Sequence, residues 1–305
     1  MGNEKTIPVM PPRLRSGDTI GIVAPASPFD SKIFYQGLET LRSMGFRTYV
    51  PEELFRENGY LAGTDEHRAK LVNQLFLDNR VNAIVCAKGG FGTIRILPLL
   101  DFSIIGENPK IFVGLSDITA LLAALYKKCG LVTFHGPLIT TLADAPELTK
   151  QAMLSAISSG SKLEIKPNKG ITIQPGNVEG PVIGGNLTTL CHLVGTAFEP
   201  ILKGHILLLE DRGEANYRID RMLFHMKLAG CFEGLVGLVL GSFQNCGPLE
   251  GIYRIVAEIF QDSHIPILAG LDVGHGRHNI TIPLGIRAAL DAQKQVLTFH
   301  QPATI

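Results

Sequence analysis

Neither sign of charge is in excess in this chain: 28 basic residues stand against 28 acidic ones, for a formal net charge of +0. That balance removes the electrostatic ground for expecting nucleic acid or an anionic membrane as a partner. Cysteine is scarce as well. The five thiols, Cys86, Cys129, Cys191, Cys231 and Cys246, lie far apart with no Cys-x-x-Cys spacing. They suit free thiols in a reducing compartment and argue against a disulfide framework. No run approaches the roughly 20 apolar residues that cross a bilayer. Residues 1–18, MGNEKTIPVMPPRLRSGD, lack the unbroken apolar core of a secretory signal. These absences together point to the cytoplasm. Two processing patterns carry little weight beside them. Gly2 with Thr6 fits the loose myristoylation pattern, and the sequons at Asn186 and Asn279 are irrelevant if the chain is never secreted.

What the chain does have is length and apolar content. Its 305 residues are 45% hydrophobic and 18% charged, enough for one large globular domain or two ordinary ones. Through the first half, short β-type runs alternate with longer amphipathic ones. Thr19–Ala24, Arg47–Val50, Ala83–Ala87 and Lys110–Val113 read as strands; Ile33–Met44, a segment from the N-cap Thr64 to Leu77, and Ile118–Tyr126 read as helices. Alternation of this kind predicts a mostly parallel sheet covered on both faces, with ligands beyond the carboxyl ends of the strands. Ala24–Ser27, Lys88–Gly92 and Gly114–Asp117 would then share one rim. From about Ser158 to Gly180 the pattern turns polar and rich in Gly and Pro. Residues 1–160 are therefore expected to form a Rossmann-like α/β domain, 161–180 a linker, and 181–305 a smaller, β-rich α/β domain. In that second half a turn is expected at Gly184-Gly185, a helix near Leu187–Val194, a strand at His205–Glu210, a helix at Ile219–Leu228 and a terminal hairpin within Ile286–Phe299.

Ser116 stands where an apolar run, Ile111-Phe-Val, turns through Gly114 into a helix. That is the context of a nucleophile elbow, in which a tight turn lifts a hydroxyl above the sheet beside backbone N–H groups. The second glycine of Gly-x-Ser-x-Gly is missing, and a serine before an apolar helix is also an ordinary N-cap. A nucleophilic serine needs a base, and the base needs a partner to fix its tautomer. Among nine histidines, His135 and His275 sit in glycine-containing loops after apolar runs. His275, flanked by Gly274 and Gly276, is the better placed, though it could also be a turn histidine bonded to backbone. Glu210 ends an apolar run and would be costly to bury unpaired, so an imidazole gives it a partner; a salt bridge to Arg212 or Arg218 is the alternative. Asp211, the other acid available, would face the opposite side of an extended strand. The turn Gly89-Gly90-Phe91-Gly92 could supply a nest of N–H groups. Neither a dinucleotide fingerprint nor a Walker motif is present. His275 and His278 lack the further ligands a metal site needs, so neither cofactor nor metal is expected, and activity should survive exhaustive chelation.

With these segments assembled, the chain resembles the LD-carboxypeptidase family of serine peptidases, which also contains the microcin C immunity peptidases. The likeness rests on motifs in a fixed order: Ala87-Lys-Gly-Gly-Phe-Gly92, Gly114-Leu-Ser-Asp117, Thr133-Phe-His-Gly-Pro137, Gly184-Gly-Asn-Leu187, Leu209-Glu-Asp-Arg-Gly-Glu214, Tyr217-Arg-Ile-Asp-Arg221, and Gly274-His275 leading to Pro283-Leu-Gly285. The resemblance implies Ser116 as nucleophile with Glu210 and His275 as its partners. It also implies an oxyanion hole from the N–H groups of Asp117 and the Gly89-Gly90 turn, an active site between two domains, and commonly a homodimer. Similar proteins release terminal D-alanine from murein tetrapeptides in the cytoplasm. Lys88 and Phe91 depart from the Arg and Tyr more usual in that glycine turn, which puts contacts to the substrate in question.

The implied mechanism is acyl transfer, with His275 as base. An imidazole ordinarily titrates near ~6.5, so activity is expected to fall as pH drops below that region. The alternative within the family is cleavage of a peptidyl or aminoacyl nucleotide, whose base is stacked on an aromatic loop. The chain has no tryptophan, which favours the murein peptide. A non-catalytic small-ligand binder on the same rim is the alternative from another class.

Overall fold

In the first half, runs of β-branched and aliphatic residues become strands, and the amphipathic segments between them become the helices that cover the sheet. The computed structural model describes residues 7–305, so the Gly2–Thr6 pattern lies outside the described residues. Five strands arise before residue 140: β1 (Thr19–Val23), β2 (Arg47–Tyr49), β3 (Ala83–Cys86), β4 (Ile111–Gly114) and β5 (Thr133–His135). All pair in parallel, in the order β5-β4-β3-β1-β2. The helix Ser31–Ser43 is capped by Asp30 and followed by Gly45 at φ 95°, a conformation that glycine reaches without steric cost. The helix Asp65–Leu77 starts where Thr64 accepts from the His67 amide at 3.2 Å.

The second half builds another sheet: β6 (Glu164–Ile165), β7 (Ile171–Gln174), β8 (Asn177–Asn186), β9 (Ile206–Arg212), β10 (Gly237–Gln244), β11 (Ile267–Ala269), β13 (Arg287–Asp291) and β14 (Val296–Phe299). Its order is β6-β14-β13-β8-β9-β10-β11-β7. The central β8-β9-β10-β11 pairs are parallel, and the flanking strands are antiparallel. The remaining strand, β12 (Ile282–Leu284), returns to the first sheet and pairs antiparallel with β5. The protein is thus α/β in both halves.

Residues 161–180 contribute β6, β7 and the first turns of pairing in β8. Gly184 and Gly185 form no turn, which corrects the expectation. They lie inside β8 at φ 138° and 136°, where a Cβ on Gly184 would meet the Leu208 carbonyl oxygen at 2.0 Å. A Gly-Gly pair signals turns in most sequences; here close packing of neighbouring strands demands it. The helices Phe102–Glu107, Glu147–Ser158 and Leu249–Phe260 were not anticipated.

Along β9 the side chains alternate between two apolar layers. Ile206 and Leu208 join the core shared with the first half, whereas Leu207 and Leu209 pack with Ile219, Leu223, Ile252 and Val256 of the outer helices. Period 2 then sends Glu210 and Asp211 to opposite faces. Among the described residues no helix is long and apolar enough to cross a membrane, and the five cysteines are free thiols.

Candidate active site

β4 ends at Gly114, extended Leu115 follows, and the chain then turns sharply into the helix Thr119–Cys129. Ser116 occupies that turn at φ 66°, a left-handed conformation that costs an L-residue about 1–2 kcal/mol. Such an outlier persists only where its surroundings hold it, and it displays the side chain as a nucleophile elbow does. Gly114 makes the turn possible, since a Cβ there would meet Ile118 Cγ2 at 2.2 Å. From the neighbouring strand end, Gly89 packs so closely that a Cβ would lie 2.7 Å from the Ser116 Cβ.

The glycine turn after β3 is held by Ser27, from the loop after β1. The Ser27 amide donates to the Gly89 carbonyl at 3.2 Å, and the Phe91 amide donates to Ser27 Oγ at 3.1 Å. Among the described residues no protein acceptor takes the amides of Gly89 or Gly90. Arg68, wholly buried, ties the same region together by donating to the carbonyls of Pro25 and Gly92 and to Asp65. Asp117 accepts the Thr93 amide at 2.8 Å. Burial raises its pKa, and the hydrogen bonds from Thr93 oppose that rise.

Glu210 ends the parallel core of the second sheet with no exposed surface. Its Oε2 accepts from His275 Nδ1 at 2.6 Å and from the His275 amide at 3.2 Å. With Nδ1–H spent on the carboxylate, the tautomer leaves His275 Nε2 as a bare acceptor. The loop bearing His275 is pinned on both sides: Gly274 donates to Asn279 Oδ1 and Gly276 to Ser242 Oγ, each at 2.9 Å. Gly274, at φ 103°, leaves room for the acid, because a Cβ would stand 2.4 Å from Glu210 Oε2. A second ring reaches the same carboxylate, with His135 Nε2 at 3.7 Å from Oε1. Full burial pushes the Glu210 carboxyl up, yet the two imidazoles outweigh it and hold its pKa down, to about 2. Asp211 makes no bond to His275 but lines the same cavity, accepting from Asn186 Nδ2 at 2.9 Å and from Thr188.

Ser116, Gly89, Gly90, Asp117 and His275 all line one cavity of about 600 Å³, with Glu210 directly behind His275. Lys88 and Phe91 stand at its edge. Lys88 donates to the Pro28 carbonyl at 3.0 Å, and Phe91, 47% exposed, lies 5.6 Å from the ring of Tyr60. Every residue that the sequence singled out for the site therefore comes to this one place. Sequence reasoning missed the supports: Arg68, Thr93, Ser242 and Asn279. It also set His135 aside as a competitor of His275, whereas both rings flank the same acid. The Thr-Phe-His-Gly-Pro run was the available signal for His135; nothing marked Ser242. Among the described residues no cluster of three or more His, Cys, Asp or Glu side chains is arranged to hold a metal ion.

The chain matches models of the LD-carboxypeptidase N-terminal domain over residues 20–136 and of the LD-carboxypeptidase C-terminal domain over residues 179–290. It is 37% identical to the "Probable murein peptide carboxypeptidase" of Bacillus subtilis (strain 168), over 93% of this chain and 92% of that one. It is 33% identical to the microcin C7 self-immunity protein MccF of Escherichia coli, over 93% of each chain. A solved structure of MccF in complex with glutamyl sulfamoyl guanosine superimposes with a TM-score of 0.91 at 28% identity, covering 98% of this chain and 100% of that one. On these matches, across both halves of its length, the chain belongs to the LD-carboxypeptidase family.

Proposed function

We propose that this protein is a serine carboxypeptidase that hydrolyses an L,D-peptide bond and releases terminal D-alanine from cytoplasmic murein tetrapeptides. The observation that carries this reading is the Glu210–His275 pair opening onto the cavity that displays Ser116 at φ 66°. His275 Nε2 takes the Ser116 proton as Oγ attacks the carbonyl carbon of the scissile bond. The resulting oxyanion is received by the amides of Gly89, Gly90 and Asp117, residues that line the same cavity as Ser116. His275, now an imidazolium held by ionised Glu210, gives its proton to the departing amine of D-alanine. Water then enters and attacks the acyl carbon as His275 removes its proton; the acyl–Oγ bond breaks, the imidazolium returns that proton to Ser116 Oγ, and the shortened peptide leaves. A homodimer is the assembly expected with this reading.

Product analysis of a murein tetrapeptide treated with wild type and with Ser116→Ala tests the proposal. Release of D-alanine by the first and loss of several orders of magnitude in kcat by the second are expected. Equal turnover by both would remove Ser116 from the chemistry.

One observation favours a second reading, in which a peptidyl or aminoacyl nucleotide is cleaved. Phe91 and Tyr60 form an exposed aromatic pair beside the cavity, a surface on which a base could stack. Comparing D-alanine release with cleavage of an aminoacyl sulfamoyl adenosine separates the two.

A further inference from the structure

The reaction scheme leaves idle a second imidazole that lies against the same acid. His135 ends β5 with no exposed surface, and its backbone is fixed between Gly114 of β4 on one side and Ile282 of β12 on the other. The two carboxylate oxygens of Glu210 are unequally served. Oε2 receives both the ring and the amide of His275, whereas among the described residues Oε1 has no hydrogen-bond donor, and neither has either nitrogen of His135 a partner. His135 Nε2 stands 3.7 Å from that oxygen. A shift of about 0.8 Å would bring the pair to the usual N–H···O distance of about 2.9 Å. Space for the ring is kept by Gly185, where a Cβ would come within 3.1 Å of His135 Cδ2. A buried anionic oxygen left without a donor is costly, and the His135 ring nitrogen stands within 3.7 Å of it.

We propose that His135 is a positioning residue. Its Nε2–H donates to Glu210 Oε1, so that the carboxylate is clamped between two imidazoles and cannot turn Oε2 away from His275. Because β5 neighbours the strand that delivers Ser116, the same clamp fixes the acid of the second sheet relative to the nucleophile of the first. The inference rests on the roles given above to Ser116, Glu210 and His275.

The test is steady-state kinetics on a murein tetrapeptide with wild type, Ser116→Ala, Glu210→Gln, His135→Leu and His135→Gln. His135→Leu is expected to lose kcat by about 10- to 100-fold, the scale of a mispositioned catalytic group, with KM within about twofold. The His135→Gln amide N–H can reach toward Oε1 and is expected to recover most of that loss. A His135→Leu enzyme with kcat within about twofold of wild type overturns the inference, as does an equal loss in the leucine and glutamine variants. Should the leucine variant fail to fold, ¹⁵N NMR of the wild-type rings decides: a proton on His135 Nε2 supports the clamp, and one on Nδ1 alone overturns it. If Ser116→Ala and Glu210→Gln turn over like wild type, it is the assignment of the site that fails. If they are inactive while His135→Leu is not, only the clamp fails.

Discussion

Glu210 Oε2 accepts two hydrogen bonds from a single residue, the ring Nδ1 of His275 at 2.6 Å and its backbone amide at 3.2 Å. One carboxylate oxygen therefore sets both the position of the loop and the tautomer of the ring. Glu210→Gln can offer Nδ1 an N–H instead of an acceptor and so favours the wrong tautomer. It is expected to reduce kcat by about 10³- to 10⁴-fold, the scale seen when a triad acid becomes an amide. Hydrolysis rates, measured beside the melting temperature of the variant, check this.

The close approach of Gly89 to Ser116 gives a steric prediction. A methyl group there would lie 2.7 Å from the Ser116 Cβ, an atom that cannot move without the turn moving. Gly89→Ala should cost about 100-fold or more in kcat through displacement of the hydroxyl and the amide nest. Retention of wild-type kcat would show that the turn yields more than its packing implies.

The φ of 66° at Ser116 predicts a stability order among inactive variants. Ser116→Gly relieves the left-handed strain that Ser116→Ala retains, so the glycine variant should be more stable by about 1 kcal/mol, read from chemical denaturation. The reverse order would mean that the turn does not hold this conformation in solution.

Acid stability follows from the same carboxylate. The folded-state pKa of Glu210 is depressed from 4.5 to about 2, burial being outweighed by the two imidazoles. The unfolded chain binds this proton more readily, so the stabilisation is complete above pH ~4.5 and fades as pH falls towards about 2. Thermal melts across that window should fall more steeply for wild type than for Glu210→Gln. Parallel curves would show that other acids govern the decline.

Much of this was legible in the sequence, for reasons visible in particular residues. Four of the five first-half strands were readable from short β-type runs, β5 being the exception, and Thr64 marked a helix start by cap chemistry. Ser116, Glu210 and His275 were each singled out from one local context. Two things were not legible. Gly184 and Gly185 resembled a turn because the clash that requires them involves Leu208 and Thr119, distant in sequence. His135 was expected in a loop and ranked against His275, whereas it ends β5, and local sequence cannot reveal that the two rings approach one acid. The return of β12 to the first sheet is likewise a product of long-range pairing.

That return has a mechanical consequence. The segment between β11 and β12 leaves one sheet at Ala269 and enters the other at Ile282, carrying His275 across. The imidazole is thereby tethered at both ends to different lobes. The crossing is secured on both sides, by the pairing of β12 with β5 and by the hydrogen bond of the His275 ring to Glu210. The two sheets are thus tied together by a covalent crossing beside the cavity, and the ring that lines it sits on that tie.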